Sequence, residues 1–296
     1  MKVRLKPVVF GTLALFAVVG PVRTTEALSD PNIQQLVIGH RGLGQNHAPE
    51  PENSIPSIVA ALKRGASAVE FDVQLSKDGQ VILAHDVVLD RISDGRGCVA
   101  EHSFQELEQI HPKDGLGVVH PDLTFPTFEE ALDAIAPLDS PERVLLADIH
   151  VKAYQGIAGD WAGPFNKGCP FTKDRELIKK VLTILKKKGL EHRVILTSFY
   201  PPVLDYISVS DPSLATGLLG YFDAAEQIRK AKKNHYKAVV FQKKRATAEF
   251  ISLAHEAGLR AFVWTTAGKA ENEQAFKNGI DGVITDTVDE ALAARP

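Results

Sequence analysis

The 296-residue chain is 44% hydrophobic, with 22 Gly and 17 Pro, and is long enough to bury a large core as one large or two ordinary domains. Lys and Arg number 34 against 37 Asp and Glu. Setting aside residues 1–27 brings the net charge to about −6, which argues against a nucleic-acid surface built from bulk positive charge.

In chain order, residues 1–27 read first as a secretory signal peptide. Lys2, Arg4 and Lys6 form a basic region, Val8 to Gly20 is an uninterrupted run of apolar or small residues, and Thr25-Glu26-Ala27 offers a small-x-small cleavage site. The run is shorter than the roughly 20 residues that span a bilayer. The mature protein, residues 28–296, is therefore expected outside the cytoplasm. Its two cysteines, Cys98 and Cys169, lie in loop-like segments, and sequence leaves open whether they pair.

Strand-like runs then recur at residues 36–40, 68–74, 144–151, 194–198, 215–220, 238–242, 261–265 and 283–286. Between most of them stand helical patterns such as "SIPSIVAALKRG", "ELIKKVLTILKKKG" and "TAEFISLAHEAG", each closed by Gly. A further run, 80–85, is separated from the second strand only by "SKDG". A parallel crossover needs a dozen residues or more, so these two segments must pair antiparallel across the Asp78-Gly79 turn. Eight parallel strands remain, which predicts an α/β fold of the (β/α)8 TIM-barrel type, with a β-hairpin excursion after strand 2 and an inserted loop after strand 3. An open doubly wound sheet is the competing architecture, but "GHRGLG" leads into a Pro-rich loop and not into a helix. Residues 87–126 and 153–173 exceed what a barrel requires, and the second segment is a candidate lid.

Side chains alternate along a strand, so parity sorts faces. In "AVEFDVQ", Val69, Phe71 and Val73 should face the helices, which sends Glu70, Asp72 and Gln74 into the barrel. In "LLADIHVK" the inward set is Leu146, Asp148, His150 and Lys152. Ile38 and His40 point inward on the first strand, Phe262 and Trp264 on the seventh, and His85 returns on the hairpin toward the tip of strand two. His40, Arg41, Glu70, Asp72, His85, His150 and Lys152 thus converge on the strand ends. Two buried carboxylates repel each other and lose hydration unless a cation sits between them, the alternative to a metal ion being an internal ion pair with Lys or Arg. The set suits a phosphodiester: a hard divalent ion on the carboxylates, an Arg and a Lys for the anion, and two imidazoles to move protons. Glycoside hydrolysis would instead need two flanking carboxylates and no cation cluster.

"GHRG" at 39–42, "PENS" at 51–54, "GASAVEFDVQLSKDGQVILAHD" at 65–86, the strand ending at Lys152, "TSF" at 197–199, "VWT" at 263–265 and "GIDGVITD" at 279–286 together resemble the glycerophosphodiester phosphodiesterase family, a metal-dependent (β/α)8 family. The resemblance implies His40 and His85 as general acid and base, Arg41 and Lys152 as phosphate contacts, Glu70 and Asp72 as metal ligands, and Trp264 as an apolar wall beside the alcohol. It implies a small-molecule glycerophosphodiester as substrate and Mg2+ or Ca2+ as cofactor. In "PENS", Asn53 or Ser54 is alternatively a helix cap. The third strand departs from the family, which places a glutamate two residues before the lysine. Either His150 takes that ligand position, moving preference toward Mn2+ or Zn2+, or Asp148 reaches up from the layer below. A phospholipase C- or D-like enzyme acting on intact lipids and a catalytically impaired phosphoester-binding barrel are the competing functions.

Overall fold

A computed structural model of the protein describes residues 28, 35–45, 48–140, 147–151, 168–169, 174–220 and 223–296. The leader pattern, Lys152 and most of the candidate lid lie outside the described residues.

Among the described residues nine strands form one sheet: β1 (Leu36–Gly39), β2 (Ala68–Leu75), β3 (Val81–Leu83), β4 (Ala147–Val151), β5 (Val194–Ser198), β6 (Ala215–Gly220), β7 (Ala238–Gln242), β8 (Arg260–Thr266) and β9 (Gly282–Thr285). Eight pair in parallel, and β1 bonds both β9 and β2, which closes the sheet into a barrel. The remaining strand, β3, pairs antiparallel with β2 (Val73 opposite Leu83, Leu75 opposite Val81), as the short Asp78-Gly79 connection demands. It spans three residues, fewer than the 80–85 run suggested.

Nine described α-helices accompany the strands: α1 (Ile55–Lys63), α2 (Phe104–Leu107), α3 (Phe128–Ile135), α4 (Asp174–Lys188), α5 (Pro201–Ser210), α6 (Ala224–Lys233), α7 (Ala248–Glu256), α8 (Gly268–Lys277) and α9 (Val288–Ala294). Their starts follow from capping chemistry. Ser54 accepts from Ser57 N at α1, and Thr127 with Glu130 forms a capping box at α3. No helix of the described residues is long and apolar enough to cross a membrane.

The apolar residues separate into layers by parity. Val69, Phe71, Val73, Ala147, Ile149 and Val151 belong to the large core between barrel and helices. Ile38, Ala68, Ile195, Val240, Phe262 and Ile284 fill the interior, with Phe199 and Trp264 packed on them. A third cluster, including Ile82, Leu89, Val99, Leu107 and Phe125, lies beneath the segment after β3. Alternation therefore holds on β2 and β4. On β8 the register against β9 shifts between Val263 and Thr266, yet Trp264 still reaches the inner cluster.

Cys98 and Cys169 form a disulfide with Cα atoms 5.4 Å apart, which joins the segment after β3 to the end of the segment after β4. Sequence alone had left that pairing open.

Candidate active site

The site is assembled at the carboxyl ends of β1, β2 and β4, where barrel enzymes carry their chemistry. Register sets its layers: Asp72 stands opposite His150, and Glu70 opposite Asp148 one step below. Atoms of Glu70, Asp72 and His150 lie within 4.8 Å of one another, and all three residues are buried. His150 Nδ1 is 3.1 Å from Asp72 Oδ1. Asp148 is turned to another partner, since Thr197 Oγ1 donates to its Oδ1 at 2.7 Å. Of the two residues offered for the third ligand position, His150 is the one that joins the carboxylate pair.

The loop after β1 follows a strained path. Arg41 has φ +51°, in a region that most side chains avoid. It is held there because its N–H donates to Glu70 Oε2 at 3.0 Å and its carbonyl accepts from Asn53 N at 3.0 Å. At Gly42 (φ +96°) a Cβ would strike Ser57 Oγ at 2.4 Å, so only glycine lets this loop cross the start of α1. The two "PENS" residues divide the work. Ser54 caps α1, whereas Asn53 (φ +58°) grips Asp72: its Nδ2 donates to Asp72 Oδ2, and Asp72 N donates to its Oδ1, both at 3.0 Å.

His40 ends β1, with Nδ1 2.6 Å from Asp286 Oδ1 just beyond β9. Arg41 Nη1 donates to Glu52 Oε1 at 2.9 Å and to Gln45 Oε1 at 3.0 Å, and Nε lies 3.7 Å from Asp72 Oδ2 without a hydrogen-bond partner. A buried guanidinium N–H left unbonded is suited to receive an anion. His85 follows β3, and Ala84 N donating to Asp72 O at 3.1 Å ties it to the mouth. Its Nδ1 is 2.7 Å from Asp86 Oδ1. The rings of His150, Phe199 and Trp264 stack edge to face in sequence, with centroids 5.4 Å apart at each step. Lys152 is outside the described residues, so the structure brings together His40, Arg41, Glu70, Asp72, His150 and Trp264, with His85 tethered beside them.

Charge in this cluster is unbalanced. Burial, then repulsion from Asp72 and Asp148, raises the Glu70 carboxyl well above its ordinary range, and Arg41 offsets only part of that. Burial pushes Asp148 up to about 7 despite its bond from Thr197. Carboxylates so crowded, facing an imidazole, are a donor set that a divalent cation would relieve, and the residues fit one. Asp286 behaves in the opposite way. Burial would raise it, but the hydrogen bond with His40 and the electrostatic influence of His40 and Arg41 hold it below the usual carboxylate range.

Three participants were missed from sequence: Asp286, Asn53 in its role on Asp72, and the Glu52 partner of Arg41. The signal for Asp286 was present, an acid at the carboxyl end of the last barrel strand in "GVITD".

Fold and site define a (β/α)8 barrel whose polar residues gather at the carboxyl ends of the strands, where enzymes of this fold carry their active sites. Residues 40–290 match the model of the glycerophosphoryl diester phosphodiesterase family, and the chain belongs to that family. It is similar to a glycerophosphodiester phosphodiesterase of Caldanaerobacter subterraneus subsp. tengcongensis, 28% identical over 258 residues that cover 86% of this chain and 95% of the relative. Among solved structures it resembles an Oleispira antarctica phosphodiesterase in complex with the product sn-glycerol-3-phosphate, with TM-score 0.72, 22% identity and coverage of 88% and 96%. A glycerophosphodiester phosphodiesterase of Thermotoga maritima aligns with TM-score 0.66 and 23% identity, covering 88% of this chain and 99% of that one. At such identities the structural likeness speaks to the fold.

Proposed function

We propose that residues 28–296 form one catalytic domain of an exported, divalent-metal-dependent enzyme that hydrolyses glycerophosphodiesters to an alcohol and glycerol 3-phosphate. The observation that carries this reading is the buried Glu70, Asp72 and His150 triangle, with ligand atoms within 4.8 Å, beside the His40–Asp286 pair and the partly unsatisfied Arg41.

Glu70, Asp72 and His150 would hold the cation. When bound it neutralises charge on the non-bridging phosphate oxygens and helps to keep both carboxylates ionised. Arg41 binds the phosphate through its free Nε, held in place by Glu52, and Lys152 contributes a second positive charge. Asp286 accepting from His40 Nδ1 leaves Nε2 facing the reacting group, and Asp86 does the same for His85. One imidazole removes the proton of the attacking oxygen while the other delivers a proton to the departing alkoxide. The bond between phosphorus and the alcohol oxygen breaks, and the elements of water are divided between phosphate and alcohol. Trp264 and Phe199 form an apolar wall beside the alcohol portion.

The product held by the Oleispira antarctica protein supports glycerol 3-phosphate as the phosphate-bearing half released here. Export is supported by the leader pattern in residues 1–27 and by the Cys98–Cys169 pairing, since such bonds persist in oxidising compartments. Purified protein assayed on glycerophosphocholine and on phosphatidylcholine, with a panel of divalent ions and with EDTA, tests the reading. Release of choline and glycerol 3-phosphate from the deacylated substrate, stimulated by metal, is expected. Cleavage of the intact lipid alone, or no turnover with any ion, would refute it.

A further inference from the structure

Arg91 lies between β3 and α2, in a stretch where no motif was read. Its side chain is 45% exposed, an environment in which an ion pair ordinarily contributes little. Its guanidinium is nevertheless committed to two carboxylates at the barrel mouth. Nε and Nη2 donate to Asp86 at 2.7 and 3.0 Å, while Nη1 and Nη2 donate to Glu52 at 2.9 and 2.8 Å. Each carboxylate has a second partner. Asp86 Oδ1 meets His85 Nδ1 at 2.7 Å, and Glu52 Oε1 accepts from Arg41 Nη1 at 2.9 Å. A row of alternating groups results: His85, Asp86, Arg91, Glu52, Arg41.

We propose that Arg91 is a positioning residue for the reaction, fixing His85 through Asp86 and Arg41 through Glu52; the proposal rests on the roles given to His85 and Arg41 above. Asp86 follows His85 directly in the chain, so a carboxylate held by the imidazole alone would be free to rotate about its own χ1. Arg91 engages both of its oxygens and selects one rotamer, which in turn selects the orientation of the imidazole. On the other arm, Glu52 is bound on both oxygens and presents Oε1 to Arg41 from a fixed place. A planar guanidinium can satisfy two carboxylates in this way, whereas an ammonium offers only a point charge. Burial, outweighed by Arg41 and Arg91, leaves the Glu52 carboxyl lowered to about 2, so it meets both guanidinium groups as a carboxylate at neutral pH.

The test is Arg91→Ala, which opens a half-exposed slot that free guanidinium can enter. Expected are a fall in kcat on glycerophosphocholine of about 10- to 100-fold, a rise in KM of several-fold, and a Tm within a few degrees of the parent. Guanidinium chloride at tens of millimolar should restore part of the lost kcat, and methylammonium chloride at the same concentration should not. Arg91→Lys should remain below the parent. A second readout needs no substrate: the downfield proton resonance of His85 Nδ1–H, identified by its absence in His85→Asn, should broaden or vanish in Arg91→Ala and return with guanidinium. Kinetic constants within twofold of the parent, or an unchanged His85 resonance, would overturn the proposal. So would an activity loss that follows unfolding and resists guanidinium, because Arg91 would then be only a packing residue. A parent that fails to cleave glycerophosphodiesters would sink the functional reading, while the His85 resonance would still decide the role of Arg91.

Discussion

Replacing Asp286 by Asn keeps the shape of the His40 partner and removes its charge. The contact is short, 2.6 Å, and Asp286 is 8% exposed, so it acts in a site with little water to screen it. A hydrogen bond to a charged group contributes about 1.5–3 kcal/mol, against roughly 0.5–1.5 kcal/mol for a neutral one. The difference, about 1–2 kcal/mol, corresponds to ~5- to 30-fold in rate at 1.36 kcal/mol per tenfold. An amide can also turn its NH2 toward His40 Nδ1 and impose the wrong tautomer, which enlarges the loss. We therefore expect kcat to fall at least about tenfold with KM little changed, measured as glycerol 3-phosphate release from glycerophosphocholine. The carboxylate is held below its ordinary range in the fold, so stability should fall too, but modestly, by a few degrees of Tm. A kcat within twofold of the parent would refute the orienting role. A Tm loss above about 10 °C would show that the side chain serves the fold instead.

Other outcomes follow from the same geometry. His150→Glu should retain activity while moving the preferred ion from Mn2+ or Zn2+ toward Mg2+ or Ca2+, read from a metal panel after EDTA treatment; loss of folding would make His150 a packing residue. Two groups of carboxylates should shape acid stability in opposite directions. Glu52, at about 2, and Asp286, below its usual range, titrate lower folded than unfolded, so their contribution is complete above about pH 5 and is lost progressively as pH falls from there toward about 2. Glu70, raised, and Asp148, at about 7, bind protons more tightly in the folded state, so without metal the protein should gain stability as pH falls from above 7 toward 4. A plot of Tm against pH in EDTA should therefore peak near about pH 5, and saturating divalent ion should flatten its upper limb; a plot that keeps rising to pH 8 in EDTA would contradict this. Replacing both Cys98 and Cys169 by Ser should cost about 4 kcal/mol, worked from their separation of 71 residues, and should lower Tm without abolishing turnover.

Much of the fold was legible because it rests on periodicity. Strand and helix alternate with connections long enough for parallel crossovers, and the single connection too short for one, at Asp78-Gly79, betrayed the hairpin. The inward set on β2 and β4 was legible for the same reason: a pleat with period two leaves Glu70, Asp72 and His150 no other face once Val69, Phe71, Ile149 and Val151 claim the helical side. What sequence concealed is distance folded away. Asp286 lies 246 residues from His40, and Arg91 lies 39 from Glu52, so neither partnership leaves a local pattern. Asn53 was ambiguous because the same residue types cap helices and bind carboxylates. Only the left-handed backbone at Asn53, which turns its amide onto Asp72, separates it from the capping Ser54.

The central claim is that Glu70, Asp72 and His150 hold a divalent cation. Crystals soaked in Mn2+ and measured at the manganese absorption edge address it directly. The account predicts one strong anomalous peak within coordination distance of all three side chains, absent from Asp72→Asn crystals treated in the same way. No peak in the parent, or a peak that persists in Asp72→Asn, would contradict it.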